Sequence, residues 1–377
     1  MFVLSGIPGQ DSPFGRTASG ADAERLDQYV RLACLYEAGL EDMGAAVVRA
    51  EAPGIYHSSE ALGVLGATSS SVHLIVRPIC DVRPVYGLAN YVVFDGHIDE
   101  LDRDVPNSLR SGLRVLGAAS GVFCTTSSLT KALVARGIAG AIALPPPISA
   151  CDTIKLRNIL AKPLKRHGQD SLSDGTIETF CGTARAARGQ VIYWDSDEAI
   201  DFDSALRTVL DGMTESDMSS VNSCLIISGA RMPPRGPPPH QPARKLTNIY
   251  YVEDVLDFSE RKALAETCDI LIRVSARSSF DILAVAAVAS GRLTVIPFNH
   301  SCVDLAGSGA VSTYRSSIAG EGDGTEKSPS LASALADAMI MPQAEREARR
   351  RQAKQWYQSN QGIEPFAARL RARVAAP

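Results

Sequence analysis

The chain has 377 residues, 45% of them hydrophobic and 21% charged. At about 150 residues per domain, such a composition divides most simply into two domains with real cores. Lys and Arg number 38 against 42 Asp and Glu, a net charge of −4, which argues against a protein that holds nucleic acid by a broad basic face. No apolar run approaches the ~20 residues of a membrane-spanning helix, and the longest, 282–289, has the length of a core helix.

Met1-Phe2-Val3-Leu4-Ser5-Gly6 reads as a short strand rather than the charged and apolar regions of a signal peptide. The eight cysteines are scattered singly with no Cys-x-x-Cys, a usage expected of small buried thiols in a reducing compartment rather than of a disulfide framework or a metal site. The expected location is the cytoplasm.

Strand-like apolar runs alternate with helical periods, the signature of stacked β-α units around a parallel sheet. The first half predicts strands at 2–4, 46–49, 72–76, 91–94, 121–124 and 140–144, with helices at 21–43, 108–116 and 127–136. In the first helix Leu26, Val30, Ala33, Tyr36 and Leu40 recur at helical spacing. Pro145-Pro146-Pro147 ends this series, and the polar stretch that follows, without strong period, reads as an interdomain connection. A second series predicts strands at 190–194, 224–228, 248–252, 270–274 and 293–298 and helices at 203–212, 259–267, 281–290 and 330–339. The charged tail from 343 to 374 is helical, marked by Trp356, Tyr357, Phe366 and Leu370. Pro233-Pro234-Arg235-Gly236-Pro237-Pro238-Pro239 excludes helix and reads as a stiff surface connection or a polyproline segment. The organisation expected is therefore α/β: residues 1–150, a connection 151–188, a second domain 189–355, and a terminal helix 356–377.

Three loops carry candidate chemistry. Gly6, Gly9 and Arg16 lie between the first strand and the first helix, where glycines let backbone amides approach a phosphate or sugar, although the spacing fits neither a dinucleotide fingerprint nor a Walker loop. Phe94-Asp95-Gly96-His97-Ile98-Asp99-Glu100 follows a strand, at the sheet end where open α/β folds bind ligands. Asp95, His97 and Asp99 are there the candidates for a general base or a charge-stabilising group, against the reading of a solvated acidic loop. In the second half Arg273-Val274-Ser275-Ala276-Arg277-Ser278-Ser279-Phe280-Asp281 joins a strand to an apolar helix. Its Ser and Asp suit helix capping, and its arginines with the helix amides suit an anion. A Gly-x-Ser-x-Gly elbow and a His-Glu-x-x-His zinc motif are both absent from the sequence.

Taken together these segments resemble a glycosyltransferase of the GT-B fold, family 4 type. The resemblance rests on 121–137 with 142–147, on 265–275 with 280–291 and Thr294-Val295-Ile296-Pro297, and on the tail helix. It implies two Rossmann-like domains facing each other across a cleft, with the last helix returning to the first domain. It further implies a nucleotide-sugar donor as substrate, no metal or other cofactor, and a glycan or lipid-linked glycan acceptor. A role in bacterial surface polysaccharide assembly and peripheral association with the inner membrane face belong to the same implication. The donor side would then use Arg231, Glu253, Arg273, Arg277, Ser278 and Ser279, and the cleft loop Gly6, Gly9 and Arg16. The sequence also departs from that family. Ser278 and Ala286 stand where such enzymes carry two glutamates, and Trp194-Asp195-Ser196-Asp197-Glu198 stands where a diphosphate-clamping Arg and Lys are usual, an acidic run expected to repel a diphosphate. A catalytically degenerate binding or assembly subunit and a nucleotide-sugar epimerase are the alternative readings.

Overall fold

The computed structural model describes residues 1–6, 21–49, 68, 70–82, 84–85, 87–96, 98–101, 111–151, 153–166, 172–196, 202–215, 222–229, 248–252, 254–274, 280–298, 300–315 and 329–374. The chain forms two compact units, one of Met1–Ser149 with Gln358–Pro377, the other of Ala150–Arg277 with Asp281–Tyr357.

In the first unit β1 (Phe2–Ser5), β2 (Val47–Arg49), β3 (Val72–Val76), β4 (Ala89–Phe94), β5 (Gly121–Cys124) and β6 (Ala141–Ala143) form one sheet in the order β2-β1-β3-β4-β5-β6. Every pairing in it is parallel. Helix α1 (Ala21–Asp42) packs on it, followed by α2 (Gly112–Gly117) and α3 (Ser127–Ala135). The inner strands are covered on both faces, so β3 and β5 are buried at every residue, which is why they read as unbroken apolar runs. The buried stripe of α1 is Tyr29, Leu32, Ala33, Tyr36 and Leu40, rotated from the sequence expectation because Val30 is only half-buried. Thr126 starts α3 by accepting the Leu129 amide.

The second unit holds β7 (Pro163–Arg166), β8 (Leu172–Thr176), β9 (Val191–Asp195), β10 (Cys224–Ser228), β11 (Ile249–Val252), β12 (Ile270–Ile272), β13 (Leu293–Pro297) and β14 (Val311–Tyr314), ordered β14-β13-β12-β9-β10-β11-β7-β8. Its core is parallel, and β7 and β8 close one edge antiparallel. Its helices are α4 (Thr153–Leu160), α5 (Ile177–Ala186), α6 (Phe202–Glu215), α7 (Phe258–Thr267), α8 (Ile282–Ala289), α9 (His300–Ala306) and α10 (Leu331–Ile340). Helix α8, Ile-Leu-Ala-Val-Ala-Ala-Val-Ala, is buried almost throughout, as an all-apolar helix must be. Asp257 and Glu260 form a reciprocal capping box at the start of α7.

Residues 151–188 are not a connection. Their described residues form α4, β7, β8 and α5 within the second unit, and Ile159, Leu164, Ile177 and Cys181 join its core with Val191, Tyr193 and Ile226. The polar spelling of β7 and β8 hid them, since an antiparallel edge needs only one buried face. Helix α11 (Gln343–Asn360) leads to α12 (Ile363–Val374), which packs on α1 in the first unit, with the Phe366 and Tyr36 ring centres 6.0 Å apart. Among the described residues no helix is long and apolar enough to cross a membrane. Cys124, Cys181, Cys224 and Cys268 are free thiols inside the cores.

Candidate functional site

Strand order fixes where ligands gather. Within the parallel strands of each sheet the described order reverses direction between β1 and β3 in the first unit and between β9 and β12 in the second. The carboxyl ends beside such a reversal diverge and leave a crevice.

In the second unit that crevice is flanked by Asp195, the last residue of β9, and Arg273, one residue beyond β12. Arg273 donates from Nη1 to Asp195 Oδ2 at 3.0 Å and from Nε to Asp281 Oδ2 at 2.8 Å. All three side chains are only 3% exposed. A second guanidinium, Arg261, stands 3.7 Å from Asp195 Oδ2. Tyr314 pins the turn by donating from its hydroxyl to the carbonyls of Arg273 and Val274 at 2.8 and 2.9 Å. Two carboxylates and two guanidiniums thus neutralise one another in a low-dielectric setting. The expectation that Asp195 repels a diphosphate is corrected: its charge is met within the protein. Arg273, expected as a donor-binding cation, directs its Nε and Nη1 to carboxylates. Asp281 Oδ1 also accepts the Ala284 amide at 3.1 Å and so caps α8, which occupies an amide the anion reading assigned to a ligand. Arg231, Glu253, Arg277, Ser278 and Ser279 lie outside the described residues.

In the first unit Asp95 directly follows β4, 4% exposed. Its carboxylate accepts from Gln28 Nε2 on α1 and from the Thr125 hydroxyl after β5, and its amide donates to Tyr29 Oη at 3.3 Å. Asp95 therefore ties the end of β4 to β5 and α1. Asp99 lies on a single 3-10 turn, Ile98–Leu101, with only its backbone described, and His97, Gly9 and Arg16 lie outside the described residues.

Gly6 directly follows β1, and there the need for glycine is steric. A Cβ on Gly6 would sit 2.6 Å from the Val76 carbonyl oxygen and 2.7 Å from Ala33 Cβ, so the crevice wall closes only around a bare α-carbon. Gly6→Ala is expected to cost about 1–3 kcal/mol through overpacking, read as a lower urea midpoint. An unmoved midpoint would show that β1 and β3 part without cost.

Beneath this wall lies a polar relay that sequence reasoning missed. His73 in β3 is bonded through Nε2 to the Ser5 hydroxyl at 2.9 Å and through Nδ1 to Asn90 Oδ1 at 2.7 Å. The Asn90 amide nitrogen donates to the carbonyls of Val85 and Leu88, which turns Oδ1 toward the ring. His73 therefore carries its proton on Nδ1, and Ser5 donates to Nε2. Burial lowers the His73 pKa to about 4. The one textual signal was a histidine inside an otherwise apolar strand, Val-His-Leu-Ile-Val. Among the described residues no three His, Cys, Asp or Glu side chains converge as metal ligands would.

No protein-family model and no curated protein matches the chain. Its three-dimensional relatives are nonetheless clear. The α,α-trehalose-phosphate synthase (UDP-forming) of Burkholderia vietnamiensis superposes with a TM-score of 0.55 at 12% identity, covering 100% of this chain and 98% of that one. The fold is GT-B. The Burkholderia xenovorans α,α-trehalose-phosphate synthase (UDP-forming), in complex with glucose-6-phosphate, gives a TM-score of 0.53 at 14% identity over 84% of this chain and 76% of its own. The E. coli trehalose-6-phosphate structure bound with UDP-2-fluoro glucose gives 0.53 at 11% identity over 96% and 80%. At these identities the likeness speaks for the GT-B fold alone, and the family 4 resemblance of the sequence stays a resemblance within that fold. Arg261 and Tyr314 are the members of the second crevice that sequence reasoning left unassigned, and strand order brings them and Asp195 to Arg273.

Proposed function

We propose that the chain is a glycosyltransferase that moves a sugar from a nucleotide-activated donor, taken up beside the β9–β12 crevice, to a hydroxyl of a glycan or lipid-linked glycan acceptor. The observation that carries this reading is the GT-B fold shared over the whole length with UDP-forming synthases. Donor uptake in the second unit follows from the crevice rule for open α/β sheets. The neighbours bound to UDP-2-fluoro glucose and to glucose-6-phosphate support the kinds of donor and acceptor. The lipid-linked acceptor, peripheral membrane association and a part in surface polysaccharide assembly rest on the sequence resemblance. Asp95, His97 and Asp99 remain the loop's candidates for handling the acceptor proton.

The test is a thermal-shift panel of UDP, GDP, dTDP, ADP and CMP, with hits confirmed by calorimetry. One nucleotide is expected to raise the melting temperature saturably with one site per chain, UDP first among them. Folded protein that binds none of the five, alone or with acceptor present, would overturn the reading. One observation favours a second reading, a degenerate binding or assembly subunit: the Arg273 guanidinium is spent on Asp195 and Asp281 rather than offered to a phosphate.

A further inference from the structure

At the amino ends of the second sheet, opposite Asp195 and Arg273, lies a recess of about 680 Å³. Gly189 precedes β9 there, Asp269 precedes β12 and Arg292 precedes β13. Five arginines line the recess, Arg185 and Arg188 from the end of α5, Arg292, and Arg346 and Arg350 from α11, against two carboxylates, Asp269 and Glu347. The excess is three positive charges.

A structural ion-pair cluster would balance, and this one does not. Asp269 serves two guanidiniums at once, accepting from Arg350 Nη2 at 2.5 Å and standing 3.7 Å from Arg185 Nε, while its Oδ2 also takes the Val191 amide. Other arginines are held by backbone carbonyls: Arg185 by Thr267, Arg292 by Glu266 and Arg346 by Met341. Such bonds fix the side chains without neutralising them. The Nε atoms of Arg346 and Arg350 are buried and have no hydrogen-bond partner. Burial first, then the neighbouring guanidiniums, pull the pKa values of Arg292 and Arg346 down, so each cation makes the next harder to keep charged. Arg188 even occupies a left-handed backbone position at φ +59°, ahead of the glycine that follows it.

A multivalent oxyanion answers all of these at once: planar forks bind phosphate oxygens two at a time, and the arginines are already held in place. We propose that this recess binds a soluble phosphorylated small molecule, a sugar phosphate or a nucleotide, at a site separate from the β9–β12 crevice. A concave recess of this volume suits a small ligand, whereas a planar headgroup surface is met by protruding side chains.

The test is calorimetric titration with inorganic pyrophosphate at constant ionic strength, on the wild type, on Arg346→Gln and on the Arg185→Gln/Arg188→Gln double variant, whose two positions are exposed and safe for folding. Saturable binding that weakens at least ~10-fold in both variants, the scale of one lost charge-assisted contact, is expected. Equal pyrophosphate affinity in wild type and variants, or no saturable heat, would overturn the proposal whatever the nucleotide panel shows. Arginine-dependent binding to phosphatidylglycerol vesicles without pyrophosphate binding would overturn it too, assigning the arginines to a membrane surface.

Discussion

Arg273→Met is expected to remove about 3–5 kcal/mol from the stability of the second domain, the cost of stranding a buried charge. Two carboxylates lose their partner together. Asp195 is left with Arg261 3.7 Å away as its nearest recorded guanidinium, and Asp281 must cap α8 without the Arg273 cation beside it. The shape of methionine is close to that of the arginine stem, so the loss reports electrostatics rather than a cavity. The chain has two tryptophans, Trp194 and Trp356, both in the second unit, so urea unfolding followed by tryptophan fluorescence reads this domain directly. The triple variant with Asp195→Asn and Asp281→Asn should recover part of the loss, because the charges that needed Arg273 are gone. A single-variant cost below about 1 kcal/mol would mean that water reaches the cluster and that its members are ordinary surface pairs.

The second expectation concerns acid. His73 is buried neutral with a pKa of about 4, against 6.5 for the free side chain. The unfolded chain therefore binds a proton between these values while the folded one does not, and stability falls as pH drops through that window. The contribution is complete above pH 6.5. About 2 kcal/mol of it goes between pH 7 and 5, and about 3 kcal/mol has gone by pH 4. Carboxylates titrate mostly below pH 5, which leaves the upper part of the window to histidine. Hydrogen exchange over 72–76, in β3, should show protection falling from pH 7 to 5 after correction for intrinsic rates. His73→Leu should flatten that slope. A slope unchanged by the substitution would move the acid sensitivity to another group.

Most of the parallel framework was legible because burial on both faces writes strands as apolar runs; 72–76, 121–124 and 224–228 were readable to the residue. What stayed hidden is polar for a physical reason. Lys165 and Arg166 in β7 and Ser173 and Asp174 in β8 belong to the antiparallel pair that ends the sheet, with β8 outermost, where strands need not be apolar at every residue. Strand β14, Val-Ser-Thr-Tyr, is half-buried at its first three residues at the other edge. For the site, Arg273 and Asp281 were visible as charges flanking one loop, but Asp195 lies 78 residues from Arg273 and only strand order unites them. The apparent acidity of Trp194-Asp195-Ser196 misled because sequence shows a charge and not its partner. The arginine recess was invisible for a related reason: its lining runs from Arg185 to Arg350, and in the sequence its last members look like an ordinary solvated helix.

The antiparallel pair at the edge of the second sheet bears on how this domain could be exchanged. Counted by its parallel strands the domain starts at β9, and that is where a recombination point between proteins of this fold would ordinarily be set. Strand β11, buried at every residue, pairs on one side with β10 and on the other only with β7. A junction placed after residue 188 would strip away β7 and β8 and leave an apolar strand with a bare row of amides and carbonyls, the kind of border along which chains stack. The transferable module therefore begins near residue 150, and its first forty residues are the hem that keeps the sheet from fraying into its neighbours.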